Sequence, residues 1–399
     1  MITRRSLTLS FCIVGILLFI GVISQSAAQD TPLTPIEQLG KTIFFDKSLS
    51  AEGDQSCAVC HGPAVGWTGP DSSINKGGSV YEGSVDGLFG NRKPPTAAYA
   101  GFAPALHWNA EDEVWVGGMF WDGRSTGWVL GDPVAEQAQG PFLNPVEMAL
   151  PDAAAVCEGI AAGNYADSFA MVFGEGSLDC GEGVDHTYEL IGRAIAAYEK
   201  SQEVSPFTSK FDYYLKGEVE LTEQEMLGLE IFEGDKAMCS ACHPTTLGEN
   251  GELPLLTDFT YDNLGAPKNP DNPFYDMPED VNPDGAKWVD TGLGGFLKSA
   301  GYDEETYMAE WGKVKVPTLR NVALKPNDSF VKAFGHNGYF KSLEDIVHFY
   351  NTRDVGDWPE PEVAENVNTD ELGDLGLTAE EEAAIVAFLE TLSDGYVPE

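Results

Sequence analysis

Apolar positions recur at helical spacing in two stretches that align with each other without a gap. Thr34-Pro35-Ile36-Glu37-Gln38-Leu39-Gly40 matches Thr222-Glu223-Gln224-Glu225-Met226-Leu227-Gly228 at an offset of 188, and Ile43-Phe44 continues onto Ile231-Phe232. Ile36, Leu39, Ile43 and Phe44 share one face of a helix. Each copy opens on Thr with Glu three residues later, a capping box that starts a helix, and Leu221 with Met226 forms a hydrophobic staple for the second copy. Thr378 to Leu392 repeats the Thr/Glu opening, with Ile385, Phe388, Leu389 and Leu392 as its apolar face, and His186 to Gln202 reads as a further helix. Between them, Gly62 to Gly118 and Pro244 to Val316 are rich in Gly, Pro, Asn and Asp and read as ordered loops around sites. The expected fold class is mainly α: two small helical domains related by the internal repeat, covering 29–205 and 206–399, with a seam near Val204–Phe211.

The first 28 residues stand apart from this pattern. Arg4 and Arg5 precede an apolar run from Leu7 to Val22, and Ser26-Ala27-Ala28 supplies small residues for cleavage. This is the arrangement of a signal peptide, 1–28, and implies export to the periplasm or beyond; a retained membrane anchor is the alternative. No later stretch is long and apolar enough to span a membrane. Lys and Arg number 23 against 64 Asp and Glu, a net charge of −41. A nucleic-acid binder needs a basic face, so that class is excluded. Cationic or locally basic protein partners are favoured.

Cysteine placement narrows the chemistry. Cys12 leaves with the leader. Cys157 and Cys180 are expected to form a disulfide, worth about 3 kcal/mol by loop closure, with two buried free thiols as the alternative. The other four sit in two CxxCH motifs, Cys57–His61 and Cys239–His243, each following one copy of the repeated helix. In such a motif two thiols can bond to the haem vinyl groups while the His ligates iron. Zinc usually wants four ligands, and neither motif has a second Cys or His pair nearby. A redox CxxC prefers a βαβ setting that this pattern lacks. Two covalent haem c groups are expected, on Cys57, Cys60 and His61, and on Cys239, Cys242 and His243.

With these motifs in place, the chain resembles the bacterial di-haem cytochrome c peroxidases and their MauG-type relatives. The matching stretches are FFDKSLS before the first CxxCH, FWDGRS at Phe120–Ser125, AEQAQGPFLNPVEM at Ala135–Met148, KVPTLRNV at Lys315–Val322 and FGHNGYFKSLEDIVHFYN at Phe334–Asn351. The resemblance implies a peroxide-reactive first haem and a second haem that stores or relays electrons. It implies a distal acid-base residue, for which Glu136 in AEQA is the candidate and Glu147 in NPVEM the alternative. The family often has Gln just before FWDGR; here Met119 stands there. A removable His ligand follows the first CxxCH in some members, but the next His here is His107, so a permanently open first haem is expected. The position of the second haem's sixth ligand falls on Tyr350, as in MauG-type enzymes, with Met308 and His348 as competitors. Trp108 is the implied inter-haem relay, Arg320 the implied partner of a haem propionate, and Asn91 the implied side-chain ligand of an inter-domain calcium ion. Three functions follow from the resemblance. One is an exported peroxidase drawing electrons from a small cytochrome c or cupredoxin. The second is a MauG-type enzyme oxidising residues of a protein substrate with hydrogen peroxide. The third is a plain di-haem electron carrier.

Overall fold

The computed structural model describes residues 32–399. The leader expected at 1–28 lies outside the described residues, and among these no helix is long and apolar enough to cross a membrane. The helices in chain order begin with α1 (Pro35–Phe44), α2 (Cys57–Cys60), α3 (Ser72–Lys76), α4 (Pro133–Leu143), α5 (Ala153–Ala162), α6 (Ala166–Phe173) and α7 (Val184–Glu199). They continue as α8 (Lys210–Leu215), α9 (Glu223–Glu233), α10 (Gly292–Ser299), α11 (Glu304–Ala309), α12 (Leu343–Thr352) and α13 (Ala379–Glu390). Two short antiparallel ribbons interrupt them. Strand β1 (His107–Asn109) pairs β2 (Val114–Val116) with Trp108 opposite Trp115, and β3 (Tyr261–Asp262) pairs β4 (Val314–Lys315) with Tyr261 opposite Lys315.

The capping boxes read from the sequence are built. Thr34, Thr222 and Thr378 each accept from the third residue of their helix, whose Glu side chain returns to the cap backbone. Gly40 and Gly228, equivalent in the repeat, explain why these helices have partners. A Cβ on Gly40 of α1 would lie 1.8 Å from the Ala194 carbonyl oxygen of α7. A Cβ on Gly228 of α9 would lie 1.9 Å from the Ala384 carbonyl oxygen of α13. Both crossings bring backbones together, and in each an aromatic residue, Tyr198 or Phe388, packs beside the glycine. The α1–α7 pair anchors an apolar cluster running from Leu39 to Val204, with Phe44, Ile191 and Ile195 at its centre. The α9–α13 pair anchors a second cluster from Phe211 to Leu392, with Phe232, Ile385 and Phe388. Residues 33–399 nonetheless make a single compact unit. The Cys157–Cys180 disulfide is present and ties α5 to the segment ahead of α7, whereas Cys57, Cys60, Cys239 and Cys242 are free.

Candidate functional site

Two clefts, one at each CxxCH, form the site. In the first, Cys57 and Cys60 on the single turn of α2 put His61 at its C-terminus, and Glu147, Met119, Trp121 and Glu199 line the same cavity. His61 Nδ1 lies 3.2 Å from the Trp67 carbonyl oxygen. In the second, Cys239, Cys242 and His243 line a cleft walled by Phe232, Ile385, Leu389 and Tyr350. His243 Nδ1 lies 2.8 Å from the Leu256 carbonyl oxygen. A carbonyl only accepts, so Nδ1 carries the proton in each ring and Nε2 keeps its lone pair for a metal. Burial lowers both imidazole pKa values, that of His243 to about 4, which keeps both rings neutral and ligating.

Burial pushes all four thiols up, Cys60, Cys239 and Cys242 to about 12. Thiolate chemistry, whether zinc binding or disulfide exchange, needs the opposite shift. Among the described residues no group of three or more His, Cys, Asp and Glu side chains is arranged to hold a metal ion. Two thiols and one imidazole lone pair at the wall of an apolar cleft are the donor set of a covalently attached haem, and the residues of both clefts fit it.

The carboxylates in the first cleft sort clearly. Glu147 lies in the wall, accepts a hydrogen bond from Asn144 Nδ2 at 2.8 Å, and has its pKa raised by burial, partly offset by Arg124. Glu136, the residue expected in this role, does not line this cleft. Its two oxygens accept the backbone N–H groups of Gly127, Val129 and Leu130, each at 2.7 Å. The residues between FWDGRS and α4 form a loop that this carboxylate closes, and the helix places Gln137 and Ala138 on the cavity instead. Glu199, the last residue of α7, is a site residue that no sequence motif marks. It is buried, faces the cavity without a hydrogen-bond partner, and burial raises its pKa to about 8, with Asp132 adding to the rise. Its signal in the sequence is position, since it stands one helical turn beyond Ile195 on the buried stripe of α7.

Trp108, the expected relay, lines neither cleft. It lies in β1, 46% exposed, against Trp115. Trp121 of the FWDGRS stretch lines both clefts instead, buried, with its indole N–H donating to the Lys93 carbonyl at 2.8 Å. Lys93 likewise belongs to both walls. Arg320 reaches the second cleft but is not a free cation. Its guanidinium is paired with the fully buried Asp212 at 2.8 and 3.0 Å and donates to the Pro254 carbonyl.

Tyr350, on α12, lines the second cleft beside the CxxCH cysteines; its hydroxyl has no hydrogen-bond partner, and burial raises its pKa. Its two competitors do not line that cleft. His348 faces outward on the same helix and pairs with Glu382 at 2.9 Å, and Met308 lies outside the cleft on α11, partly exposed. Asn91 sits at the first cleft, with its carbonyl accepting from Asn272 Nδ2. His107 is exposed in β1 and lines neither cleft.

Known proteins with this arrangement are similar throughout the chain. Residues 35–220 match the family model described as di-haem cytochrome c peroxidase. The methylamine utilization protein MauG of Paracoccus denitrificans is 36% identical over 370 residues, 89% of this chain and 88% of that one. The cytochrome c551 peroxidase of Pseudomonas aeruginosa is 30% identical, over 83% of this chain and 75% of its own. The crystal structure of the diheme peroxidase BthA from Burkholderia thailandensis superposes with a TM-score of 0.74 and 31% identity, covering 91% of this chain and 87% of that one. The paired CxxCH clefts and this similarity along almost the whole chain lead to one conclusion: the protein belongs to the di-haem cytochrome c peroxidase and MauG family of oxidoreductases.

Proposed function

We propose that the protein is an exported, MauG-type di-haem enzyme that uses hydrogen peroxide to oxidise a partner protein. One haem c would be held by Cys57, Cys60 and His61, and the other by Cys239, Cys242 and His243 together with Tyr350. The observation that carries this reading is the unpartnered Tyr350 hydroxyl in the second cleft, at the position that the resemblance to MauG-type enzymes assigns to the second iron's ligand. Haem, when bound, supplies the redox-active irons, and a phenolate ligand lowers the potential of its iron relative to Met.

The chain's own residues do the rest. The Trp67 and Leu256 carbonyls hold the two proximal imidazoles in the tautomer that presents Nε2. Glu147, whose pKa burial raises, is placed to move the proton that peroxide cleavage requires, and Asn144 donates to its Oε1. The aromatic body of Trp121 lies in the wall shared by the clefts and is the relay between them. The net charge of −41 suits a cationic or locally basic protein partner. An ordinary peroxidase fed by a small cytochrome c or cupredoxin is the second reading, favoured by the identity to the cytochrome c551 peroxidases.

One experiment separates the two readings. One equivalent of peroxide is added to the fully ferric protein and the Soret band is followed by stopped flow. The MauG-type reading requires an immediate reaction without prior reduction, and Tyr350→Phe must alter the second haem's spectrum without removing either haem. Inert ferric protein that becomes fast after half-reduction replaces this reading with the ordinary peroxidase.

A further inference from the structure

Acids outnumber bases 64 to 23 in this chain, so a buried cation with no carboxylate beside it calls for a reason. Lys93 is such a cation. It is 7% exposed, and its ammonium donates to Thr68 Oγ1 at 2.9 Å and to the Pro94 carbonyl at 3.2 Å. The charge that acts on it is another ammonium, Lys341, and Lys93 acts in turn on Lys332. Lys332 has its three donors on the carbonyls of Val65, Asn321 and Leu324, and Lys341 has its donors on Gly77, Ser79 and Gly338. Lys93 alone of the three has an N–H left over, since an ammonium carries three. A buried charge is costly unless an opposite charge meets it.

The location of Lys93 says which anion. Its side chain is in the wall of both clefts, and the group each cleft fits bears two propionate carboxylates. Of the other buried cations at the second cleft, Arg320 is neutralised by Asp212 and Lys332 has all three donors on backbone carbonyls. We propose that Lys93 is the shared cationic seat for a carboxylate of each bound haem, so that one side chain couples the two redox centres electrostatically. This rests on both clefts holding haem. A positive charge beside a redox iron disfavours its oxidised form, and in a water-poor wall the effect is weakly screened. Lys93 therefore raises both potentials together, and loading one haem changes the field at the other.

The test is a spectroelectrochemical titration of the two-haem protein carrying Lys93→Gln, which keeps two donors for Thr68 and Pro94 but drops the charge. Lys93→Arg keeps the charge, and exposed Lys287→Gln serves as the control. Haem content by pyridine haemochrome is measured first on every sample. Wild type with fewer than two haems overturns the functional reading beneath the proposal. With two haems present, both midpoint potentials must fall in Lys93→Gln, return toward wild type in Lys93→Arg and stay unmoved in Lys287→Gln. A Gln variant that shifts one potential only or neither overturns the shared seat, as does an Arg variant that shifts like Gln.

Discussion

Replacing Gly228 by Ala tests the packing that walls the second cleft. The new Cβ would sit 1.9 Å from the Ala384 carbonyl oxygen, 2.6 Å from its carbon and 2.9 Å from Phe388 Cβ. Ordinary contact begins near 3.4 Å, and two of the three obstructing atoms are backbone of α13. The helices must therefore part by more than an ångström, and no rotamer change relieves them. Overpacking of this kind costs roughly 1–3 kcal/mol, and a rigid backbone obstacle puts it at the upper end. Ala gains about 1 kcal/mol of helix propensity over Gly, which opposes the loss. The net expectation is a destabilisation of about 2 kcal/mol, a drop of several degrees in Tm. Ile385 and Leu389 of α13 and Phe232 of α9 line the second cleft, so the spectrum of that haem alone should change. Gly40→Ala is the matched experiment, its new Cβ lying 1.8 Å from the Ala194 carbonyl oxygen of α7; Ile195 and Glu199 of that helix line the first cleft. Thermal melts followed by far-UV circular dichroism give the stability, and resonance Raman or EPR assigns the perturbed haem. A variant as stable as wild type, or more stable, would refute the reasoning, because propensity would then have outweighed the clash.

Glu147→Gln should slow the reaction with peroxide by about 10²–10⁴-fold in stopped flow, while Glu136→Gln should leave that rate within threefold and lower Tm by weakening the hydrogen bonds to Gly127, Val129 and Leu130. Asp212→Ala leaves the Arg320 guanidinium buried without its carboxylate and should cost about 3–5 kcal/mol in denaturant melts, far more than loss of the more exposed Lys41–Glu203 pair. Burial raises the Glu199 pKa from 4.5 to about 8, so the folded state holds a proton that the unfolded state has released. The stability contribution of Glu199 is therefore complete below about 4.5 and is lost as pH rises through about 8; melts across that range should flatten in Glu199→Gln, and an unchanged pH profile contradicts the placement.

The amino-acid sequence alone determines the local chemistry. The capping boxes at Thr34, Thr222 and Thr378 depend on residues three apart, and helix periodicity depends on neighbours within two turns. The CxxCH motifs carry their thiols and imidazole within five residues, and the family stretches are contiguous. The Cys157–Cys180 bond is also accessible from sequence, because those two are the only unassigned thiols after the leader. Orientation across the fold is what the sequence does not carry. Glu136 lies in a matching motif, but the loop at Gly127–Leu130 offers it three N–H groups, and a carboxylate turns toward donors rather than into an apolar cavity. Trp108 and Trp121 are equally good indoles in sequence, and only the placement of β1 at the surface separates them. Arg320 reads as a free cation in sequence because its partner, Asp212, stands 108 residues away. His348 and Tyr350 are two residues apart on α12, about 200° around a helix, and only the packing of that helix decides which of them faces the second cleft. Lys93 has no local signal at all: its meaning comes from lying where two clefts share a wall, and a shared wall exists only once the chain has brought distant segments together.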